Sequence, residues 1–221
     1  MKKTLTLAAL SAALLTGAAS AQITGNVALS TDYVFRGITQ TDNGPAISGG
    51  FDYEHESGFY AGTWASSVDF GDDTTMEIDF YGGYTFSAAG FDWDIGGLLY
   101  AYPDSPDDQN FFEAYGNVSK DIGPLTWSGG VAYSPEFYLD TGEAVYLSTG
   151  LAMEIFEGIT LDGAIGVSRF SDEFDFLDYE DYQIGLSGTV LNDIGWDLRV
   201  HELSDGGNET VVFTISQSFG G

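Results

Sequence analysis

Polar and apolar residues alternate along most of the chain, in twelve runs that begin shortly after residue 22. A period of two puts successive side chains on opposite faces of a β-strand, so one face of each run is expected to contact an apolar environment. The predicted strands are residues 25–36, 46–55, 59–69, 76–86, 91–102, 110–119, 125–134, 144–154, 159–170, 180–190, 195–203 and 209–219. Helical periodicity is almost absent, and the pattern therefore predicts an all-β fold.

The connections between these strands are alternately short and long. Five short turns each end in a glycine, namely Gly58, Gly90, Gly123, Gly158 and Gly195. Their regular spacing indicates an internal repeat of one hairpin plus one loop. The other six connections are longer and mostly acidic. Short turns at one end and long loops at the other are typical of bacterial outer-membrane barrels, and we call these the short-turn end and the long-loop end.

An even number of strands places both termini of such a barrel at the short-turn end, which is periplasmic in outer-membrane barrels. The long loops would then face the outside of the cell. The sequence thus predicts a single closed antiparallel transmembrane β-barrel of twelve strands in the bacterial outer membrane.

Aromatic residues gather near both ends of the predicted strands. Near the short turns these are Phe59, Tyr60, Phe86, Phe91, Trp93, Trp127, Phe156 and Trp196; near the long loops they are Tyr33, Phe35, Phe70, Phe112, Tyr133, Phe137, Tyr138 and Tyr182. Two such groups indicate girdles at the two edges of a hydrocarbon layer. The alternative is a soluble β-sandwich, in which large rings would more naturally fill the middle of a core.

The N-terminus resembles a bacterial secretory signal. Lys2 and Lys3 precede an apolar stretch from Leu5 to Leu15, and small residues end at Ala21. This predicts a cleaved signal peptide at residues 1–21 and a mature barrel domain at residues 22–221. The apolar stretch is too short to cross about 30 Å of hydrocarbon as a helix, so a membrane anchor is disfavoured.

Residues 30–70 carry a resemblance to a known family. The relevant positions are Tyr33, Phe35, Arg36, Gly37, Thr39, Pro45, Ala46, Gly58, Phe59, Tyr60, Gly62 and Trp64. This segment resembles the opening of the TorF family of porin-like outer-membrane proteins. The resemblance implies a barrel with a porin-like role, and it implies no particular substrate.

Charge and composition narrow the function further. The sequence has 34 acidic and six basic residues, and removal of the signal would take away two of the six. Such an acidic surface excludes nucleic acid as a partner. The sequence has no cysteine, which excludes disulfides and thiolate metal sites.

The polar face of the strands would line the interior of the barrel. The predicted pore-lining residues are Asp32, Arg36, Asp52, Glu54, Asp69, Glu77, Asp79, Asp92, Asp94, Glu113, Glu154, Asp162, Asp181, Asp197 and Arg199. Between the acidic ends the wall is mainly small, and Thr63 and Ala65 are assigned to it. Because carboxylate rings attract cations, a narrow and cation-preferring pore is predicted.

The two interior arginines have two interpretations. Arg36 and Arg199 could form a constriction that orients anionic groups of a solute, or each could neutralise nearby carboxylates and tie strands together. Arg169 has the lipid-facing parity at the long-loop end, where its side chain can reach the headgroups.

Other expected partners follow from the membrane location. They are outer-membrane lipids, lipopolysaccharide, small cationic or neutral solutes and the barrel assembly machinery, for which Phe219 near the C-terminus would be a signal. The sequence does not predict an oligomeric state.

No catalytic, cofactor or metal site is predicted. The chain has only two histidines and lacks the G-x-S-x-G and H-E-x-x-H motifs. The acidic loops lack the spacing of a calcium loop. The sequence therefore predicts a channel for passive diffusion of small solutes and no enzyme, and the alternative is a non-conducting structural or adhesive barrel.

Overall fold

The computed structural model describes residues 22–106, 109–171, 173–190, 194–204, 206 and 209–220. The predicted signal peptide, residues 1–21, lies outside the described residues, and so does the centre of the fifth short turn, residues 191–193. The described helical segments are two 3₁₀ turns, Tyr138–Asp140 and Asp175–Leu177. Among the described residues, no helix has the length and apolar character needed to cross a membrane.

The strands are β1 (Gln22–Ser30), β2 (Val34–Phe35), β3 (Ile38–Thr39), β4 (Ala46–Glu54), β5 (Phe59–Ser67), β6 (Met76–Ala88), β7 (Phe91–Ala101), β8 (Phe111–Ile122), β9 (Leu125–Ser134), β10 (Ala144–Phe156), β11 (Ile159–Phe170), β12 (Tyr179–Val190), β13 (Ile194–Leu203) and β14 (Thr210–Gly220). Strands β2 and β3 pair only with each other. The other twelve form one closed barrel in which each strand is antiparallel to its sequence neighbours. Pairing of β1 with both β4 and β14 closes the barrel, and the predicted fold class is confirmed.

Most predicted strands agree closely with the observed ones. Residues 125–134 and 159–170 were predicted with the observed bounds of β9 and β11. The first strand is the largest difference, since β1 ends at Ser30 and not at residue 36. Residues 32–44, which contain β2 and β3, leave the barrel wall there, and we call them the inner hairpin.

The outer face of the barrel is apolar. Ile23 in β1 is 67% exposed, Phe59 in β5 is 63% exposed and Val211 in β14 is 59% exposed. Alternate residues of the same strands, such as Thr24 and Thr214, point towards the barrel axis and are less exposed. A continuous apolar band of this kind is unstable in water and requires an apolar surrounding such as lipid.

The predicted aromatic girdles are only partly on this outer face. At the short-turn end, Phe59, Phe86, Phe91, Trp93, Trp127 and Trp196 have the outward parity, and a register shift between Glu154 and Phe156 puts Phe156 on the outer face as well; at the long-loop end, Phe112, Tyr133 and Tyr182 have the outward parity. The remaining predicted girdle residues lie inside the barrel. Phe35, Phe70, Phe137 and Tyr138 pack against a buried cluster of aromatic side chains there, so the long-loop girdle contains fewer rings than predicted.

Strand β5 faces the opposite way to the sequence prediction. Trp64 pairs in register with Gly50 and Asp79, both of which are inward, so Trp64 points into the barrel. Thr63 and Ala65 therefore face outwards and do not belong to the interior wall. The error arose because rings occur on both parities of β5, and local alternation cannot choose between them.

Candidate functional site: the barrel lumen

The inner hairpin turns at Arg36 and Gly37. Both residues have positive φ angles, 47° and 83°, as the tight hairpin turn between β2 and β3 requires. At the base of the hairpin, an Asp32 carboxylate oxygen accepts hydrogen bonds from the hydroxyls of Thr39 and Thr41, at 2.7 and 2.8 Å. These bonds hold the two arms of the hairpin together, and Asp32 is buried.

One arm of the hairpin contacts the wall formed by β5, β6 and β7. The rings of Tyr33 and Trp64 meet edge to face at 5.3 Å, and the Tyr33 hydroxyl donates to Glu77 at 2.7 Å. Burial, reinforced by the charge of Glu77, raises the pKa of Tyr33 well above its ordinary value. Tyr33 therefore remains a hydrogen-bond donor. Phe35 contacts Tyr100 with ring centroids 5.7 Å apart.

The tip of the hairpin reaches β8 and β10. The two terminal nitrogens of Arg36 donate to the two carboxylate oxygens of Glu113, at 2.8 and 2.7 Å. The guanidinium carbon lies 4.2 Å from the ring centre of Tyr146. Burial opposes the charge, but Glu113 raises the pKa of Arg36 above its ordinary value, so the group stays a cation. Only 9% of the Arg36 side chain and 4% of the Glu113 side chain are exposed.

The turn glycine lies against the opposite side of the lumen. A Cβ atom at Gly37 would meet the side chain of Asp181 in β12 at 3.0 Å, and it would also meet Leu203 at the end of β13. Together with the contacts on β5 to β8, this means that the inner hairpin crosses the lumen at the long-loop end.

A buried aromatic cluster fills the lumen beside the hairpin. Its core is Leu98, Tyr100, Tyr102 and Phe111, with Tyr100 stacked on Phe111 at 4.2 Å. The Tyr102 hydroxyl donates to the second carboxylate oxygen of Glu77 at 2.6 Å. Leu98 and Tyr100 share the parity of Asp92 and Asp94 in β7, so alternation accounts for their inward direction, but it does not account for the loop aromatics that join them.

Tyrosines also pair with the interior carboxylates nearer the short-turn end. Tyr81 donates to Asp52, and Tyr60 donates to Asp94 at 2.6 Å. The hydroxyls of Tyr60 and Tyr115 are hydrogen-bonded to each other. The wall from β5 to β8 is thus lined with tyrosine rings, whereas the facing wall carries small residues such as Ser148 and Gly150.

Arg199 bridges strands that are not neighbours. Its guanidinium bonds to Asp162 of β11 at 2.5 and 3.0 Å and to Asp197 at 2.9 Å. It passes directly over Gly185 of β12, where a Cβ atom would come within 2.8 Å of the guanidinium carbon. This geometry agrees with the strand-tying interpretation of Arg199.

The predicted pore-lining residues fall into three groups. Those that point inwards from barrel strands are Asp52, Glu54, Glu77, Asp79, Asp92, Asp94, Glu113, Glu154, Asp162, Asp181, Asp197 and Arg199. Asp32 and Arg36 are also inside, but on the inner hairpin and not on a strand. Asp69 was placed wrongly, since it lies in the exposed loop after β5 and accepts a hydrogen bond from the backbone of Gly71. Whether the inward residues line a conducting path stays a prediction.

Sequence reasoning missed several interior partners of these groups. Tyr146 shares the parity of Ser148 and Gly150, so the alternation of β10 could have placed its ring inside. Tyr102 shares the parity of Leu98 and Tyr100 in the predicted strand 91–102, so alternation could have placed its ring inside as well. Tyr33 was assigned to the long-loop girdle, and it lies inside because residues 32–44 leave the barrel wall.

Within the described residues, no three His, Cys, Asp or Glu side chains are grouped closely enough to hold a metal ion. Four carboxylate oxygens are nevertheless buried without a hydrogen-bond partner, on Asp32, Asp79 and Asp181. Asp79 has both of its oxygens in this state and is 0% exposed. The long-loop half of the lumen therefore holds more carboxyl groups than pair with the Arg36 guanidinium.

Solved structures with a similar fold are outer-membrane proteins. A KdgM porin has 10% identity and a TM-score of 0.62, with 89% of this chain and 98% of that chain covered. A KdgM porin in complex with disordered oligogalacturonate has 10% identity and a TM-score of 0.60, covering 90% and 98%. The COG4313 outer membrane channel from Pseudomonas putida F1 has 7% identity and a TM-score of 0.55, covering 93% and 97%. At these identities the likeness shows a shared barrel fold alone.

Sequence comparison gives the family. No curated protein matches the chain. The profile of a family described as "Bacterial protein of unknown function (Gcw_chp)" matches residues 15–219, which is nearly the whole chain. This match does not confirm the name TorF. The chain belongs to the Gcw_chp family, and its fold is that of a porin-like barrel of twelve strands.

Proposed function

We propose that this protein is a bacterial outer-membrane channel for the passive diffusion of small solutes. The observation that carries the proposal is the closed twelve-stranded barrel with an apolar outer face and a polar, acidic inner face. Eight strands leave room only for side chains or one small ligand, and sixteen or more leave a wide aqueous channel. Twelve strands fit a lumen of intermediate width.

A preference for cations is part of this proposal. Carboxylates occupy both ends of the inner wall, while Arg36 and Arg199 are each already paired with carboxylates. A confined lumen weakens the screening of these charges compared with open water. Permeating cations would therefore be stabilised, and anions would be repelled.

The route of solutes through the lumen would be narrow and would lie against one side of the barrel wall. Tyrosine rings occupy the wall from β5 to β8, and the inner hairpin crosses the long-loop end. Small side chains on the opposite wall, such as Ser128, Ser148 and Gly150, leave the remaining space. Solutes would thus pass along β9 to β12, between the small residues and the tyrosine wall.

Ion selectivity tests this function directly. The purified mature protein is reconstituted into a planar bilayer, and the reversal potential is measured across a KCl gradient. We expect stepwise conductance with a reversal potential of the sign given by K⁺ permeation. Anion preference would contradict the acidic-lumen argument, and heat-modifiable protein without any current would contradict the channel.

A second candidate is a non-conducting structural or adhesive barrel, and the inner hairpin favours it because the hairpin crosses the lumen. Ser30 and Ala46 are register partners across β1 and β4, so a short Gly–Ser turn can replace residues 31–45 without changing the register. If the deletion variant conducts and the intact protein carries no current under all conditions, the inner hairpin closes the barrel. If both conduct, the second candidate is excluded.

A further inference from the structure

We propose that the pocket around Glu113 is a binding site for solutes with a guanidinium or primary ammonium group, and that Arg36 occupies it as an internal ligand. The inference deepens the proposed channel function and rests on it, because the solute would have to enter the lumen. It identifies both a solute class and the group with which the solute competes.

The pocket has the chemistry of a cation site. Glu113 presents both carboxylate oxygens to the guanidinium in the bidentate geometry that makes such pairs strong. The Tyr100 hydroxyl donates to one of these oxygens at 3.1 Å and so fixes the carboxylate. The face of Tyr146 lies 4.2 Å from the guanidinium carbon, within the range of a cation–π interaction.

Carboxyl groups without hydrogen-bond partners lie next to the pocket and suit a solute with more than one positive charge. Tyr146, whose ring covers the guanidinium, also donates to Asp181 at 3.2 Å. The other carboxylate oxygen of Asp181 is buried without a hydrogen-bond partner. Asp79, which pairs in register with Tyr100, has two such oxygens. A buried carboxyl group favours its neutral form unless a cation is close, so a second cationic group would stabilise the ionised form there and be bound by it.

The internal ligand sits on an element that is not part of the barrel wall. Arg36 is at the tip of a hairpin with two-residue strands that pair with each other and not with the barrel. Its removal from Glu113 would withdraw the part of the hairpin that crosses the lumen. A solute that displaces Arg36 from Glu113 would therefore also widen the long-loop end. The tethered Arg36 side chain and the solute would compete for the same carboxylate.

The test measures agmatine binding by isothermal titration to the full mature barrel in detergent. Agmatine carries a guanidinium and an ammonium group, and tetramethylammonium serves as a cation without N–H donors. The variants are Arg36→Ala and Arg36→Ala/Glu113→Gln, with Arg36→Met as a second variant that keeps side-chain volume. Arg169→Ala is the matched control, because Arg169 lies on the outer face with ion pairs no shorter than 3.4 Å. Heat-modifiable migration verifies folding.

Arg36→Ala and Arg36→Met should bind agmatine about tenfold or more tightly than the intact protein, since the internal competitor is gone. The double variant should lose about tenfold relative to Arg36→Ala, because the charged acceptor is gone. Arg169→Ala should behave like the intact protein, and tetramethylammonium, which has no N–H donors, should depend less on Glu113 than agmatine does. Equal agmatine affinity in Arg36→Ala and the double variant would overturn the site.

Conductance in KCl, recorded on the same preparations, separates this inference from the proposed function. Glu113-dependent agmatine binding in a protein that carries no current would support the site and overturn the channel. Current together with agmatine binding that does not depend on Glu113 would overturn the site and support the channel.

Discussion

Arg36 and Glu113 are 77 residues apart in the sequence and meet inside the barrel through two hydrogen bonds of 2.8 and 2.7 Å. This pair connects the tip of the inner hairpin to β8. Both side chains are almost completely buried, and the pair fixes the position of the hairpin tip in the lumen.

Removing only the arginine should release the hairpin. Arg36→Ala leaves the Glu113 carboxylate buried without its cation, and breaking one side of a buried pair costs about 3–5 kcal/mol. We expect backbone amides of residues 33–40 to exchange with solvent about a hundredfold to a thousandfold faster, since that energy holds the hairpin in place. Hydrogen exchange followed by mass spectrometry in detergent measures this.

The double variant Arg36→Ala/Glu113→Gln should show a smaller stability loss than Arg36→Ala, because no uncompensated charge remains. Arg169→Ala is the control, since the side chain of Arg169 is 47% exposed and its ion pairs contribute little. Unchanged exchange in Arg36→Ala would show that the pair does not position the hairpin.

The facing of β5 predicts different environments for the four tryptophans. Trp64 points into the barrel, whereas Trp93, Trp127 and Trp196 point outwards. In vesicles, lipids brominated on their acyl chains should quench the fluorescence of single-tryptophan variants that keep an outward ring. The fluorescence of the variant that keeps only Trp64 should be quenched much less by these lipids. Quenching of the same variant by acrylamide, added from the aqueous side, should show how accessible Trp64 is from the lumen. Equal bromolipid quenching of Trp64 and Trp93 would reverse the assignment of β5.

The barrel was predictable because each of its strands needs an apolar outer face and a polar inner face. The alternation of β9 and β11 shows this requirement directly in the sequence. The inner hairpin was not predictable in the same way. Residues 31–36 continue the alternation of β1, and only contacts with distant residues such as Glu77 and Glu113 draw them into the lumen. Positive φ at Arg36, a non-glycine residue, carries no local sequence signal.

Alternation predicts which side chains of the candidate site point inwards, but it does not predict which of them bond to each other. Parity placed Glu113, Asp181 and Arg199 inside, as the structure has them. It could not show that Arg199 reaches Asp162 across an intervening strand, because that contact depends on the absence of a side chain at Gly185. Parity also failed for Asp69, which was assigned inside because it shares the parity of Thr63 and Ala65, whereas β5 faces the other way and ends at Ser67.

Closure of the barrel between β1 and β14 depends on a glycine. A Cβ atom at Gly25 would lie 2.5 Å from the ring of Phe219 and 3.1 Å from that of Phe51. Overpacking of this kind costs about 1–3 kcal/mol, so Gly25→Ala should lower the fraction of folded protein at a given urea concentration. Migration of unheated samples on gels measures that fraction.

Gly116→Ala is the matched control for Gly25→Ala. Gly116 is also an outward strand glycine, but a Cβ atom there would have its nearest contacts at 3.9 and 4.0 Å. It should be neutral or slightly stabilising, by about 0.4–1 kcal/mol, because alanine restricts the unfolded chain. Equal destabilisation by both substitutions would show that the contact of Gly25 with Phe219 is unimportant for closure.

We expect the apolar side chains of the barrel to face lipid, while its acidic and small residues surround water. The sequence has no cysteine, so single cysteines can be introduced at adjacent positions of β10, as Leu147→Cys and Ser148→Cys. The rate of modification by a cationic methanethiosulfonate reagent is measured in lipid vesicles. The inward cysteine at position 148 should react about tenfold or more faster than the outward one at position 147, because strand alternation puts the first in water and the second in lipid. Equal rates, or faster modification at position 147, would contradict the account.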